Sequence, residues 1–391
     1  MTQLLSDWSN ALIYVAMAVY AIAFILFAMD LANRSAGRDA LAGAARGTSA
    51  LGATKRERAG AGVASRRRGL RARRDGAARE AAAGAGADAL SPASAGTLTL
   101  ERGGAAGDAV ARVETEASAP GVAMSESRAG DADDWVDRRA SRSLRIAMLV
   151  TGLGFAIHLA STLLRGLASG RVPWSNMYEY TMTATLLVVL VFLLAQLWND
   201  LRFLGTFITG FVTLCLGISA VGFYVEVAPL QPALQSAWLV IHVFVASLAT
   251  GCLALGFGLS ILQLMQRSRT KALLEGRRSR MGFLGALPGE ARLEDLAYRI
   301  IVVGFILWTF TLIAGAIWAE RAWGRYWGWD TKEVWTFIIW TVYAGYIHAR
   351  ATKGWRGTPS AWLAIVGFGT VLFNFGVVNV FFKGLHTYSG L

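Results

Sequence analysis

Long apolar segments alternate with short polar ones along most of the chain. About 20 apolar residues are needed to cross a bilayer as a helix, and a helix satisfies its own backbone hydrogen bonds in lipid. Eight segments reach this length, at residues 11–32, 144–166, 177–198, 202–224, 236–265, 299–320, 331–350 and 358–383. The pattern predicts an all-α polytopic membrane bundle of about eight transmembrane helices.

The same pattern divides the chain into three regions. Residues 1–33 form the first predicted transmembrane helix, and residues 144–391 form a predicted seven-helix bundle with a tryptophan-rich loop at 318–335. Between them, residues 34–143 are rich in Ala, Gly and Arg and have no sustained apolar periodicity. Because this composition cannot bury enough apolar surface to fold, we expect a disordered, basic, cytoplasmic linker.

Most of the basic residues behind the net charge of +12 lie in loops between the spans. Residues 34–143 hold 19 Arg and Lys, residues 266–298 hold seven, and residues 349–358 hold three. If the spans alternate, these loops share one side, and Lys and Arg concentrate on the cytoplasmic side. Both termini and the tryptophan-rich loop are then extracytoplasmic, in a multi-pass plasma-membrane protein. Because basic clusters without interleaved aromatic residues are unspecific, we expect contact with membrane lipid and not with nucleic acid.

The loop after the sixth span contains an unusual cluster of aromatic residues. Residues 323–330 read WGRYWGWD, and six of the 14 tryptophans lie between Trp318 and Trp340. A dense surface that includes Trp323, Trp327 and Trp329 suits a large, flat, apolar ligand, and Gly324 allows the backbone to approach a flat ring.

Charged residues flank these tryptophans. Asp330 and Glu333 have the spacing of a capping box, which predicts that the seventh helix begins at this loop. Arg321 and Arg325 are candidates for binding carboxylates at the edge of such a ligand, because guanidinium groups pair with carboxylates in a bidentate manner.

The four histidines all lie in or beside predicted spans. His242 lies about 9 Å below the outer start of the fifth span, at 1.5 Å per residue, and His386 follows the eighth span on the same side. These two imidazoles could therefore flank the iron of one porphyrin. His348 lies about 26 Å from the start of the seventh helix, so it is an interface residue or a ligand of a second, deeper haem. For His158, in the middle of the second span, packing and ligation both remain open.

The two cysteines, Cys215 and Cys252, lie inside apolar spans. A disulfide framework or a cysteine metal site is therefore not expected. The chain also contains no C-x-x-C-H motif, so it is not itself a c-type cytochrome.

Three motifs in order resemble one known family. Residues 323–335 read WGRYWGWDTKEVW and continue to YAGYIHAR at 343–350. Residues 384–388 read GLHTY, and residues 170–179 read GRVPWSNMYE. Together they resemble the CcsA/ResC-type membrane subunit of the system II cytochrome c synthase, which is called CcsB in some lineages. The resemblance covers residues 144–391.

This resemblance implies a haem-handling function, with haem b as substrate and ligand. By analogy, His242 and His386 are the outer axial ligands and His348 is an inner ligand. The family works with a CcsB/ResB-type membrane subunit, exports haem and attaches it through thioethers to C-x-x-C-H of apocytochrome c. The pair is then a holocytochrome c synthase, a haem lyase, and a thioredoxin-like protein that reduces thiols is an indirect partner.

Three other interpretations fit parts of the pattern. A haem exporter or chaperone of the CcmC type would use the same tryptophans and outer histidines without synthase activity. A membrane electron carrier with two haems would account for His348 beside the outer pair. A solute transporter or channel fits an eight-span bundle but leaves the tryptophan cluster unexplained. The sequence shows no dedicated acid or base, so catalysis by positioning is expected.

Overall fold

The computed structural model describes residues 2–34, 142–227, 234–277, 279, 281–352 and 354–386. The predicted linker therefore lies outside the described residues, except at its two ends. The described residues form helices, turns and irregular connections without a β-strand. The main helices are α1 (Thr2–Arg34), α2 (Arg142–Ser169), α3 (Met177–Ala195), α4 (Gly205–Gly222), α5 (Ala237–Leu274), α6 (Glu290–Trp323), α7 (Thr331–Ala351) and α8 (Thr358–Phe373).

Seven helices in the described part of the chain are long and apolar enough to cross a membrane. They are α1 to α6 and the segment Thr358–Phe381, which begins with α8. The prediction of an all-α polytopic membrane bundle is thereby confirmed. The remaining predicted span coincides with α7, whose 21 residues reach about 31 Å at 1.5 Å per residue. Its many Trp, Tyr, Thr and charged residues make α7 less apolar than the other seven.

The long helices α5 and α6 form the central pair of the bundle. Gly256 on α5 faces Ile301 on α6, and a Cβ atom added at Gly256 would overlap the Ile301 side chain. Small residues at such a contact let two helix backbones come close together in a membrane. On the other side of α5, the rings of Phe257 and Phe368 stack with centroids 4.8 Å apart and join α5 to α8.

A largely buried ion-pair network joins α2, the loop after it and the start of α3. Glu179 Oε1 lies 3.2 Å from Arg165 Nε, and Glu179 Oε2 lies 2.7 Å from Arg171 Nη1. The side chain of Asn176 caps α3 by accepting a hydrogen bond from the Glu179 N–H at 2.9 Å. This network occupies the GRVPWSNMYE motif, and it holds Trp174 and Asn176 at the start of α3.

The chain after α8 leads back towards the α6–α7 turn. A π-helical segment, Asn374–Val378, follows α8 directly, and one helical turn, Asn379–Phe381, completes the helix. A π segment interrupts the regular ladder of backbone hydrogen bonds and is often found near functional sites. The following residues carry His386 to the α6–α7 turn.

Candidate functional site

The α6–α7 turn is fixed at both ends by capping interactions. α6 ends at Gly324, whose φ of 70° is left-handed and whose N–H donates to the carbonyl of Glu320 at 2.7 Å. Asp330 is the N-cap of α7, and Glu333 Oε2 accepts from the N–H groups of Gly328 and Asp330 at 2.7 and 3.0 Å. The predicted capping box is confirmed, and it holds the tryptophan-rich turn in one conformation.

The tryptophans of this turn face in different directions. Trp329 has a φ of 59°, which is uncommon for a residue other than glycine, and its side chain is 78% exposed. The ring of Trp327 lies edge-on to Trp329, with centroids 5.8 Å apart, and borders the cavity described below. The ring of Trp323 instead packs edge-on to Trp318, with centroids 4.8 Å apart.

Asp330 links the start of α7 to the C-terminal segment. Its Oδ2 lies 2.7 Å from Nδ1 of His386, and its Oδ1 accepts from the N–H of Leu385 at 2.9 Å. Partial burial alone would raise the pKa of the Asp330 carboxyl. The hydrogen bonds from the His386 imidazole and the Leu385 N–H, together with the electrostatic effect of His386, outweigh burial and lower this pKa to about 2. Asp330 is therefore an ionised anchor for the His386 imidazole.

His242 is held in an equivalent way inside the bundle. Its Nδ1 lies 2.9 Å from the backbone carbonyl oxygen of Thr311 on α6, so Nδ1–H is the donor. The imidazole fits directly against Gly315, where an added Cβ would lie 2.8 Å from His242 Cε1. α6 therefore fixes both the tautomer and the position of this ring.

His242 and His386 both contact the indole ring of Trp318. The His242 ring stacks on Trp318 with centroids 6.0 Å apart and an angle of 14° between the planes. The His386 ring lies edge-on to Trp318 at 5.4 Å and to Trp323 at 4.7 Å. With Nδ1–H donating in both cases, Nε2 is the ring nitrogen of each histidine that would bind a metal.

Both histidines line one largely apolar cavity between α3, α4, α5, α6, α7 and α8, called here the central cavity. At its α6–α7 end the cavity is bordered by His242, Trp318, Trp327, Lys332, Glu333 and His386. Its remaining walls come from apolar side chains of the bundle with a few hydroxyl and amide groups, among them Phe211, Thr250 and Asn374. A concave apolar space with a few polar groups at one end is typical of a small-molecule site.

Several predicted site residues lie elsewhere. The Arg321 guanidinium lies over the Trp238 ring, 5.9 Å from its centroid, and the Arg325 guanidinium lies against the Cα of Gly328. Neither arginine borders the central cavity, and neither does Trp329. Instead, α7 supplies Lys332, which lies between the two capping-box residues Asp330 and Glu333 and borders the cavity.

The remaining two histidines lie outside the central cavity. His348 is exposed near the far end of α7. His158 is fully buried between α1 and α2, where its ring lies edge-on to Tyr20 with centroids 5.9 Å apart. Its Nδ1 is 3.4 Å from the Tyr20 hydroxyl. Its Nε2 is buried without a hydrogen-bond partner among the described residues, so packing and ligation both remain predictions for His158.

The fold and the site define a class, a multi-pass α-helical membrane protein with two histidines and a cluster of tryptophans around one cavity. The sequence profile of the cytochrome C assembly protein family matches residues 174–386, which include all of these elements. The chain therefore belongs to this family, and its relatives below make it CcsA-type. It takes part in cytochrome c biogenesis, a process whose chemistry involves haem.

Similar proteins named cytochrome c biogenesis protein CcsA occur in algae and cyanobacteria. The one from Guillardia theta is 35% identical over 240 residues, which cover 58% of this chain and 80% of the relative. The one from Prochlorococcus marinus (strain MIT 9303) is 33% identical over 278 residues, with 65% and 87% covered. The one from Porphyra purpurea is 35% identical over 293 residues, with 65% and 90% covered.

Proposed function

We propose that the chain presents haem b for thioether attachment to the C-x-x-C-H motif of apocytochrome c. His242 and His386 bind the iron through Nε2 on opposite faces of the ring, in the central cavity beside Trp318. The observation that carries this proposal is that both imidazoles contact the Trp318 indole. The Nδ1–H of His242 donates to the Thr311 carbonyl, and that of His386 donates to the Asp330 carboxylate. Such oxygen partners orient the ring and raise the basicity of a metal-ligating histidine.

The residues around the cavity fit a porphyrin. Trp318 and Trp327 supply flat apolar surface, and the bundle below supplies an apolar wall. The histidine lone pairs supply the two axial ligands, and the capped α6–α7 turn keeps these groups in place before the ligand arrives. In this proposal the α6–α7 turn lies on the extracytoplasmic side of the plasma membrane, where the client is folded.

The chemistry to be supported is addition of a thiol to a vinyl group. Each cysteine S–H adds across one C=C bond, so that an S–C bond forms and the thiol hydrogen goes to the other vinyl carbon. No oxidant or reductant is consumed in this step. The contribution of the chain is to hold the porphyrin still beside the incoming thiols, and such positioning alone removes several kcal/mol of barrier.

The synthase activity requires partners. We expect a CcsB/ResB-type membrane subunit to complete the enzyme and to share in haem export, with His348 on the exposed side of α7 as a candidate inner ligand. A thioredoxin-like protein acts indirectly by keeping the two client cysteines reduced, since only thiols can add to the vinyls.

The decisive test combines a spectrum with a product assay. The full chain, produced with its partner subunit and purified in detergent, should show a Soret band and should form holocytochrome from haem and reduced apocytochrome. His242→Ala and His386→Ala should each weaken the band and abolish the covalent product. Normal product yield from both variants would refute the assignment. Haem transfer without any covalent product would identify a carrier of the CcmC type instead.

A further inference from the structure

Lys332 is the one lysine of α7, and it borders the central cavity together with Glu333 and Thr336. Its backbone N–H donates to Asp330 Oδ2 at 3.3 Å, and the same oxygen lies 2.7 Å from Nδ1 of His386. The backbone of Lys332 is therefore bonded to the carboxylate that holds His386. The residue lies on the face of α7 that borders the cavity.

The Lys332 ammonium makes no hydrogen bond and no ion pair with any residue that the structure describes. The nearby carboxylates are engaged elsewhere, because Asp330 holds His386 and Leu385 while Glu333 Oε2 accepts from two backbone N–H groups. Glu333 Oε1 has no hydrogen-bond partner and does not pair with the lysine either. The Asp330 carboxylate acts on this ammonium electrostatically but does not pair with it, so the lysine remains suited to a ligand carboxylate that pairs with it directly.

We propose that Lys332 binds a propionate carboxylate of the haem held between His242 and His386. This assignment rests on the proposed function. The two arginines favoured by the sequence are positioned differently, since Arg321 lies over Trp238 and Arg325 lies against Gly328. Lys332 is the cation that shares the cavity with both imidazoles.

Such a contact makes Lys332 a positioning residue. Two axial ligands leave the porphyrin free to rotate about the line that joins them. A third contact, to one carboxylate, fixes this rotation and directs the propionate edge towards α7. The vinyl groups lie away from the propionates on the ring, so the same contact decides which way the reacting edge points.

The test compares two porphyrins that differ only in the carboxylates. Haem and its dimethyl ester, in which both propionates are neutral, are titrated into the purified full chain and followed by the Soret band. Wild-type protein should bind haem at least about tenfold more tightly than the ester, since a charge-assisted hydrogen bond is lost in the ester. Lys332→Gln should lower haem affinity by about the same factor and leave ester affinity unchanged, whereas Lys332→Arg should restore most of the preference.

The matched control is Arg321→Gln, which removes a cation outside the cavity and should leave the preference for haem intact. Unchanged ester binding by Lys332→Gln also shows that this variant is folded. The assignment is overturned if Lys332→Gln weakens both porphyrins equally, if it weakens neither, or if Arg321→Gln gives the loss instead. If wild-type protein binds neither porphyrin, the proposed function fails and the lysine assignment fails with it.

Discussion

Nδ1 of His386 lies 2.7 Å from Oδ2 of Asp330, so the last described residue of the chain is held by the cap of α7. This single contact joins the tryptophan-rich turn to the C-terminal segment, 56 residues further along the chain. It also selects the tautomer of His386, because an ionised carboxylate accepts from Nδ1–H and leaves the lone pair on Nε2.

Replacing Asp330 with Asn should disturb this tautomer while preserving the size of the side chain. The amide has one acceptor oxygen in place of two, so it cannot accept from both the Leu385 N–H and the His386 Nδ1–H; where its nitrogen faces Nδ1, the imidazole proton moves to Nε2. We expect haem affinity to fall about 10–100-fold, the usual cost of losing a partner of a metal ligand. The affinity is measured by titrating haem into the protein and following the Soret band. Asp200→Asn, which alters an ion pair with Arg202 in the loop between α3 and α4, is the control and should keep wild-type affinity. Equal affinity for Asp330→Asn and wild type would contradict the assignment.

Gly315 should be essential for the position of His242. A methyl group at Gly315 would lie 2.8 Å from Cε1 and 2.9 Å from Nδ1 of the imidazole, so the ring must move away from Thr311. Gly315→Ala should therefore weaken the Soret band about as strongly as His242→Ala. Gly345→Ala is the matched control, because an added methyl group at this helical glycine meets no atom within 4 Å. A wild-type spectrum from Gly315→Ala would show that His242 is not held by this contact.

The sequence was sufficient for the fold class because apolar length is a local property. A run of about 20 apolar residues is enough to predict each crossing helix. The capping box at Asp330 and Glu333 can likewise be predicted from four consecutive positions. Even the proximity of His242 and His386 could be anticipated, since the alternation of the spans places both near the same predicted side of the membrane.

What the sequence could not supply was the direction of individual side chains. Arg321, Arg325 and Lys332 lie within 12 residues of one another, and all three are cations beside tryptophans. Only the structure shows which of the three borders the cavity. Gly324 ends α6 and turns the chain, and of these cations Lys332 borders the cavity while Arg321 and Arg325 do not. For the same reason the sequence left open whether His158 is a ligand, whereas its contact with Tyr20 depends on how α1 packs on α2.

The contribution of the Asp330 carboxyl to stability should be lost in acid. Because folding lowers its pKa from 3.8 to about 2, its contribution to stability is complete above pH 3.8 and is lost as the pH falls through about 2. The difference in thermal midpoint between wild type and Asp330→Asn should therefore be constant from pH 7 to about pH 5 and should shrink below pH 4. Tryptophan fluorescence can follow this transition, since Trp318 and Trp323 both contact His386. A difference that grows towards low pH would have the wrong sign.

The buried network at the start of α3 should matter for stability as a whole. Glu179→Gln leaves Arg165 and Arg171 without their counter-ion in a region where the Arg165 and Glu179 side chains are fully buried. Breaking a buried pair from one side costs about 3–5 kcal/mol, so the thermal midpoint in detergent should fall strongly. The exposed pair of Arg277 and Glu275 offers the control, since Arg277→Ala should cost at most about 1 kcal/mol. Similar midpoints for the two variants would mean that the network contributes little.

His348 should be dispensable for haem at the outer pair. It is exposed near the far end of α7, about 26 Å from Thr331 at 1.5 Å per residue, and it does not border the central cavity. In the purified chain without its partner, His348→Ala should therefore keep the Soret band that His242→Ala loses. With the partner subunit present, the same variant should reduce the haem content, because an exposed histidine can complete a second site only with a ligand from another chain. Loss of the Soret band in the isolated His348→Ala chain would show that this histidine acts within the chain, and would favour an electron carrier with two haems.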